Sequence, residues 1–505
     1  MKNLIKVTLL LFAVGCFVGC TDLEYQLTDS VATNDDGGGG LEATDLLETA
    51  YRRIGETFQT QDNAYALLSH TTDEMMGPTR GTDWSDNGVW RALHNHTWDP
   101  THPYVVNGWN AINQSVFQTN VVLAANPTTQ QAAEARFIRA FFNFYNVDLF
   151  GVAPFREANE GPEIDPRVFN RAEAVDFILE DIDAAIPNLP DVAEPGQASK
   201  DAARALKAKV LLNKAVYLAA NPAGPYDFQA ADMNEVVELI DAMSGYSLAA
   251  DYFDNFAPDN GAISPELIFS LPNEAGASFG GGNGAASRYF KTLHYNQNPG
   301  GWNGFVTLSD FYNKFEAGDQ RLGGERAGLT DVSGMRTGFL VGQQFNENGE
   351  ALKDRPGNDL VFTEDVALAG NNERRGIRVV KYVPDFSNLN VPANNYVVFR
   401  WGDMLLMKAE ALLRSGDAGG ALAIVNELRD VRGASALASL DEQALLDERG
   451  FEMYWEGWRR NDQIRFGQYT RAYQEKPESA STRVLFPIPQ QAIDSNPNLT
   501  QNDGY

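Results

Sequence analysis

The residues best suited to chemistry in this chain are aromatic and lie in two segments without helical periodicity. The first, Asp73 to Tyr104, holds Asp83, Trp84, Asp86, Asn87, Trp90, Arg91, His94, His96, Trp98 and Tyr104; three of the chain's eight tryptophans fall between positions 84 and 98. The second holds Arg288, Tyr289, Tyr295, Asn296, Gln297, Asn298 and the run Trp302-Asn303-Gly304-Phe305. A sugar presents a face of C–H groups and a rim of hydroxyls. A site for it needs flat aromatics for the face and amides, carboxylates or guanidinium groups for the rim, and both segments carry that mixture. Loops are also where a scaffold places binding residues. The expectation is an exposed aromatic platform, with Trp302 and Trp84 ranked first, then Trp90, Trp98, Tyr289 and Tyr295, and with Asp83, Asn87, Arg91 and Asn303 supplying polar contacts. Taken singly, each tryptophan could equally pack its loop onto the protein.

Other chemistries find less support. Glycoside hydrolysis needs two carboxylates, one with a raised pKa. Glu448, Glu452 and Glu456 recur four apart and are expected on one helix face, with Arg449, Arg459 and Arg460 as partners; such neighbours lower carboxyl pKa values, so a structural ion network is the better reading. Asp73-Glu74 and Asp83 to Asp86 remain formal candidates for a hydrolase. His94, His96 and His102 superficially resemble a metal motif, but neither cysteine pairs nor a His-Glu-x-x-His helix accompanies them. Gly280-Gly281-Gly282-Asn283-Gly284 lacks the Gly-Lys-Ser/Thr ending of a phosphate loop. No catalytic residue, metal or cofactor is expected.

The elements that must position the two segments read as amphipathic helices in succession, without alternating strands: Ala43 to Phe58, Val105 to Ala125, Thr128 to Phe150, Arg171 to Ile186, Lys200 to Ala220, Met233 to Met243, Trp401 to Arg414 and Ala418 to Val431. Between about 246 and 395, Gly300-Gly301, Pro384 and Pro392 break any helix, while Leu267 to Leu271 and Val379 to Val383 read as short strands. The fold class expected is mainly α, an array of helical pairs with an inserted loop-rich subdomain. The divisions are 1–19, 20–40, 41–245 with the loop 73–104, 246–395, and 396–505.

Lys2 and Lys6 precede an apolar run, Leu4 to Val18, of signal-peptide length. Phe17-Val18-Gly19-Cys20 resembles a lipoprotein cleavage box, with Cys16 as a competing site. Cys20 is preferred for lipidation because an acidic, glycine-rich tether up to Gly40 follows it; a soluble secreted chain with a chance thiol is the alternative. Cleavage before Cys20 would remove Lys2 and Lys6, leaving 38 basic against 68 acidic residues and moving the net charge from -28 to -30. That balance argues against nucleic acid and polyanions as general partners and favours a neutral ligand such as a glucan, without excluding a local basic pocket.

Several stretches carry a more specific signal: Glu448 to Arg460 with its Phe451, Trp455 and Trp458; Phe486-Pro487-Ile488-Pro489; the ending Asn496-Pro497-Asn498-Leu499-Thr500-Gln501-Asn502-Asp503-Gly504-Tyr505; Glu134 to Gly151 followed by Pro154; and Ala202 to Leu212. In this order they resemble the SusD/RagB family of outer-membrane glycan-binding lipoproteins. The resemblance implies tetratricopeptide-like helical pairs and a shallow glycan site made by loop aromatics. It also implies a non-catalytic, lipid-anchored protein facing the cell exterior that captures oligosaccharide and delivers it to a SusC-like TonB-dependent transporter. Peptide is the ligand of some relatives, and a protein-binding scaffold without glycan affinity is a further alternative. The terminal run itself, rich in aromatic, Pro and Asn residues, is expected to be tied into a core.

Overall fold

Helix starts in this chain are marked by side chains that accept hydrogen bonds from free backbone N–H groups. Thr128 and Asn170 close capping boxes with Gln131 and Glu173, and Ser199, Asp417 and Asp441 cap the helices that follow them. Each such cap is worth about 1 kcal/mol. The structure, a computed structural model, describes residues 42–273 and 288–505. The leader, Cys16, Cys20, the tether and Gly280 to Gly284 lie outside them.

The long helices are Ala43–Phe58, Pro103–Ala124, Thr129–Phe150, Arg171–Ala185, Lys200–Leu218, Ala230–Asp241, Trp401–Arg414, Ala418–Val431 and Glu442–Met453. From the first to Ala418–Val431, each packs on the next. The step from Ala230–Asp241 to Trp401–Arg414 spans the whole loop-rich stretch, so the array continues across the insertion. Fold class and most helix bounds agree with the sequence reading; the helix expected from Met233 begins instead at Ala230 and ends at Asp241.

Thr129–Phe150 is the central element, with every residue from Ala133 to Phe150 buried except Arg136. Its aromatics meet Phe58, whose ring lies 4.4 Å from that of Tyr145, and Trp458, stacked 6.2 Å from Tyr145. Interdigitated aromatics of this kind contribute about 0.5–1.5 kcal/mol per pair beyond area burial.

In the insertion, Leu267–Leu271 pairs antiparallel with Tyr396–Arg400, and Gly338–Leu340 pairs with Arg378–Val380. The strand expected to reach Val383 therefore stops at Val380. Where insertion and array meet, carboxylates and cations are buried together. Arg400 bonds Glu452 at 2.6 Å and Glu456 at 2.7 Å, Arg432 bonds Glu266 at 2.7 Å and Glu452 at 2.8 Å, and Arg321 bonds Glu448 at 2.7 Å. Glu448 and Glu452 share the helix Glu442–Met453, but the helix ends at Met453 and Glu456 sits in the turn beyond it. Their partners also differ from those expected: Arg459 goes to Asp73, Arg460 to Asp148, and Arg449 to Asp403 and Asp462. Despite the desolvation that burial imposes, the surrounding guanidinium groups hold the Glu452 carboxyl well below its ordinary range, which no general acid could use.

The carboxyl terminus is pinned as its composition suggested. Asn502 Nδ2 donates to the Phe150 and Phe486 carbonyls at 2.9 and 2.7 Å, Gln501 bonds the Ile488 backbone in both directions, and Tyr505 OH donates to the Leu485 carbonyl at 2.8 Å.

Candidate functional site: an aromatic platform beside a polar pocket

The two aromatic segments come together in space. Met76 and Val306 exchange backbone hydrogen bonds at 2.9 and 3.0 Å, and Thr307 donates from its amide to Ile377 at 2.9 Å, so the first segment, the second and the strand Arg378–Val380 form one assembly. Trp84 Nε1 then donates to the Trp302 carbonyl at 2.9 Å. A Cβ on Gly304 would stand 2.3 Å from the Trp84 ring, so glycine is what lets Trp84 lie against the second segment.

Trp302 is presented on backbone that is bonded on both sides. Gly301, Trp302, Asn303 and Gly304 donate to His294, Phe290, Leu293 and Lys291 carbonyls at 2.5–3.0 Å. The indole is 51 % exposed, and Lys291 Nζ lies 3.3 Å from its centroid. That ammonium is mostly buried, and burial pushes its pKa down to about 8. A cation over one side of the ring holds it flat and leaves the rest for a ligand. Tyr295 is half-buried; its OH donates to Asp83 Oδ2 at 2.9 Å and its ring carries the Arg355 guanidinium 3.9 Å from the centroid. Asp83 and Arg355 are exposed, so hydroxyl partners stand at the same edge.

The loop backbone is strained here. Trp84, Asp86, Asn87 and Asn303 have φ of +59°, +35°, +51° and +52°. Such conformations cost on the order of 1–3 kcal/mol each and cluster at ligand-binding segments.

Four of the residues expected on the platform are instead internal. Trp90 is 4 % exposed, donates to Asp86 at 2.7 Å and packs on Phe305 and His70. Trp98 is 2 % exposed, with Nε1 donating to Tyr505 OH at 2.6 Å and its ring against Phe486, so it anchors the terminus. Tyr289 is buried with its OH on the Leu389 carbonyl, and Asn303 is buried with its Oδ1 accepting from Arg378 at 2.7 Å. Trp84 is half-buried, in contact with Phe305, and Arg288 is buried over Tyr65. Arg91 braces the loop by donating to Thr79 Oγ1 at 2.8 Å, and Asn87 is exposed on its turn.

The histidines occupy separate niches: His94 on the Gln474 carbonyl, His96 between Thr71 and Ser479, and His102 on the Val89 carbonyl. Asp73 is ion-paired with Arg459, while burial pushes the Glu74 carboxyl up to about 8; Glu74 is fully enclosed and faces no surface. Gly276-Ala277-Ser278-Phe279-Gly280 has Gly-x-Ser-x-Gly spacing and lies outside the described residues.

Beside the platform is a polar pocket of about 260 Å³, lined by Arg80, Asp83, Asn303, Asp354, Glu373 and Arg374 among others. Sequence reading missed Arg80, Lys291 and Arg355 as well as this pocket. The local signals were the Pro356-Gly357 turn and the polar run Asn371 to Arg375, neither of which carries an aromatic.

A helical-pair array that raises an open tryptophan beside paired polar loops defines a class of ligand-binding proteins; among the described residues no helix is long and apolar enough to cross a membrane. The structure is similar over 92 % of this chain and 99 % of the other to a laminarin-binding SusD-like protein, with a TM-score of 0.67 and 20 % identity. It is similar over 91 % and 98 % to surface glycan-binding protein A from Bacteroides thetaiotaomicron in complex with laminarihexaose, at 0.63 and 18 %. The sequence is 26 % identical to the starch-binding protein SusD of Bacteroides thetaiotaomicron over 93 % of this chain and 88 % of that one. It is equally 26 % identical to SusD-like protein P38 of Formosa agariphila over 100 % and 99 %. The model of the SusD family matches residues 265–505, and that described as starch-binding associating with outer membrane matches 44–212. The chain belongs to the SusD/RagB family.

Proposed function

We propose that this protein captures oligosaccharide at the outer surface of the outer membrane, to which Cys20 would tether it through lipid, and passes it to a SusC-like TonB-dependent transporter. The observation that carries the proposal is Trp302, half exposed on fully bonded backbone, with Lys291 at its ring and Asp83, Tyr295 and Arg355 beside it. Trp302 stacks on the sugar's C–H face, Trp84 holds the Trp302 backbone through its carbonyl, and the exposed carboxylate and guanidinium groups meet hydroxyls. The starch-, laminarin- and laminarihexaose-binding relatives support the ligand class.

The protein acts by binding. The clustered carboxylates Glu448, Glu452 and Glu456 are buried in ion pairs, and Glu74 is enclosed, so the open face offers no acid and nucleophile pair of this origin. A shallow polar site exchanges water for protein at little net gain, so affinities of about millimolar to micromolar are expected.

A glycan array probed with the purified chain, followed by a reducing-end assay on each hit, tests this reading. Bound glycan recovered intact supports it. Absence of binding to every glycan, with co-purification of a transporter, would leave a scaffold, and release of reducing ends would make the protein a hydrolase.

A further inference from the structure

The pocket beside the platform is lined by three arginines, Arg80, Arg355 and Arg374, and three carboxylates, Asp83, Asp354 and Glu373, and the buried Arg378 adds one further positive charge behind them. Arg80 is 5 % exposed and lines the pocket; its Nη1 donates to the Asn372 carbonyl at 2.7 Å, while its Nε and Nη2 have no hydrogen-bond partner. Behind it, Arg378 is fully buried and bonded to the Arg375 and Glu373 carbonyls and to Asn303 Oδ1, with no carboxylate among its partners and its Nε unpaired. Asn303 Nδ2, at the same wall, is also unpaired. Among the described residues neither arginine forms an ion pair.

The carboxylates that share the pocket are taken up by the other two arginines of its lining and by neighbouring donors, and none is paired with Arg80. Glu373 is bonded to His294 at 2.9 Å and to Arg355; Asp354 accepts from the Asn358 backbone at 2.6 Å and lies 3.4 Å from Arg374; Asp83 accepts from Tyr295. An unpaired buried charge and unsatisfied buried donors are each expensive, and native proteins rarely keep them without a use. Burial pushes the Arg80 guanidinium down to about 10, the sign of a cation short of compensation, with Tyr295 and Glu373 offsetting only part.

Resting on the glycan-binding reading above, we propose that the pocket takes an anionic substituent of the ligand, a uronate carboxylate or a sulfate ester, on Arg80 and Asn303 while the neighbouring ring stacks on Trp302. The negative charge of the whole chain does not oppose this. Its field is screened within about 8 Å at physiological salt, whereas the pocket acts at contact. Bidentate guanidinium geometry suits carboxylate and sulfate alike, and a group that supplies the missing acceptors gains where a neutral hydroxyl gains less.

The test is calorimetric titration of the purified full chain with tetragalacturonate and a sulfated carrageenan tetrasaccharide as the two anionic arms, against maltotetraose and laminaritetraose. The expected result is at least about tenfold tighter binding of one anionic arm than of either neutral sugar, a ratio that shrinks as sodium chloride rises. Which arm binds distinguishes carboxylate from sulfate. In Arg80→Met the ratio should fall to within about twofold. Asn303→Asp, which hands Arg378 a carboxylate, should lower the ratio likewise while raising the melting temperature, so the test survives poor folding of the first variant. Neutral sugars bound as tightly as both anionic arms, or an anionic preference that persists in both variants, would overturn the proposal. If neutral binding is nonetheless lost in Trp302→Ala, the platform reading stands without it; if no sugar of either kind binds, both fall.

Discussion

At the scale of single residues, exposure and bonding separate the tryptophans into different trades. Trp302 is half open and its indole rests on Lys291, so its loss should remove ligand contact without removing much buried surface. Trp84 depends on Gly304, and Gly304→Ala, by placing a methyl about where the Trp84 ring now lies, should displace that ring; intrinsic tryptophan fluorescence shifted from wild type, with weakened glycan binding, checks this, and an unchanged spectrum would argue against it. Glu74 gives a prediction of opposite character. Its carboxyl, held up at about 8 against 4.5 in the unfolded chain, keeps a proton that the unfolded chain releases. The group therefore favours folding below pH 4.5 and loses that contribution as pH rises towards 8. Glu74→Gln, neutral at every pH, should gain on wild type between pH 4 and pH 9 by on the order of 4 kcal/mol, read from denaturant melts at both ends. A gap that does not change with pH would contradict the enclosed, protonated state.

At the scale of elements, the helices were legible in sequence because their information is local. The caps at Thr128, Asn170, Ser199 and Asp417 and the apolar stripes behind them fix start, stop and buried face within one element. The loops were legible only in composition. Trp98 looked like a platform residue because nothing near it in sequence reveals its partner, Tyr505, which is 407 positions away. Trp90 and Tyr289 failed for the same reason: an aromatic in a loop points inward or outward according to tertiary contacts that its neighbours do not encode. Arg80, Lys291 and Arg355 were missed because charged loop residues are ordinary until folding sets one against an indole, another over a tyrosine and a third in a pocket wall. The structure assigns Trp98 to holding the terminus, so Trp98→Ala should cost about 3–5 kcal/mol of stability, measured by denaturant melt. A stable variant would return Trp98 to the candidates for ligand. Glu452→Gln should be similarly costly, about 3–5 kcal/mol, because it leaves Arg400 and Arg432 buried with a lost partner.

At the scale of the whole molecule, the family's recognisable residues and its candidate binding residues are different sets. The buried ion network, the central aromatic helix and the pinned terminus make one framework, and they carry the resemblance to SusD/RagB proteins. The residues proposed to meet ligand stand on the loops the framework carries, where the platform and the pocket offer two separate places for contact. Longer oligosaccharides should accordingly bind more tightly than their monosaccharides, and a preference for monosaccharide would contradict an open platform. Trp302 as the sugar platform is tested by titrating Trp302→Ala and wild type with an oligosaccharide that the wild type binds. The expected result is a loss of about tenfold or more in affinity with an unchanged melting temperature; affinity equal to that of wild type would show that the sugar stacks elsewhere.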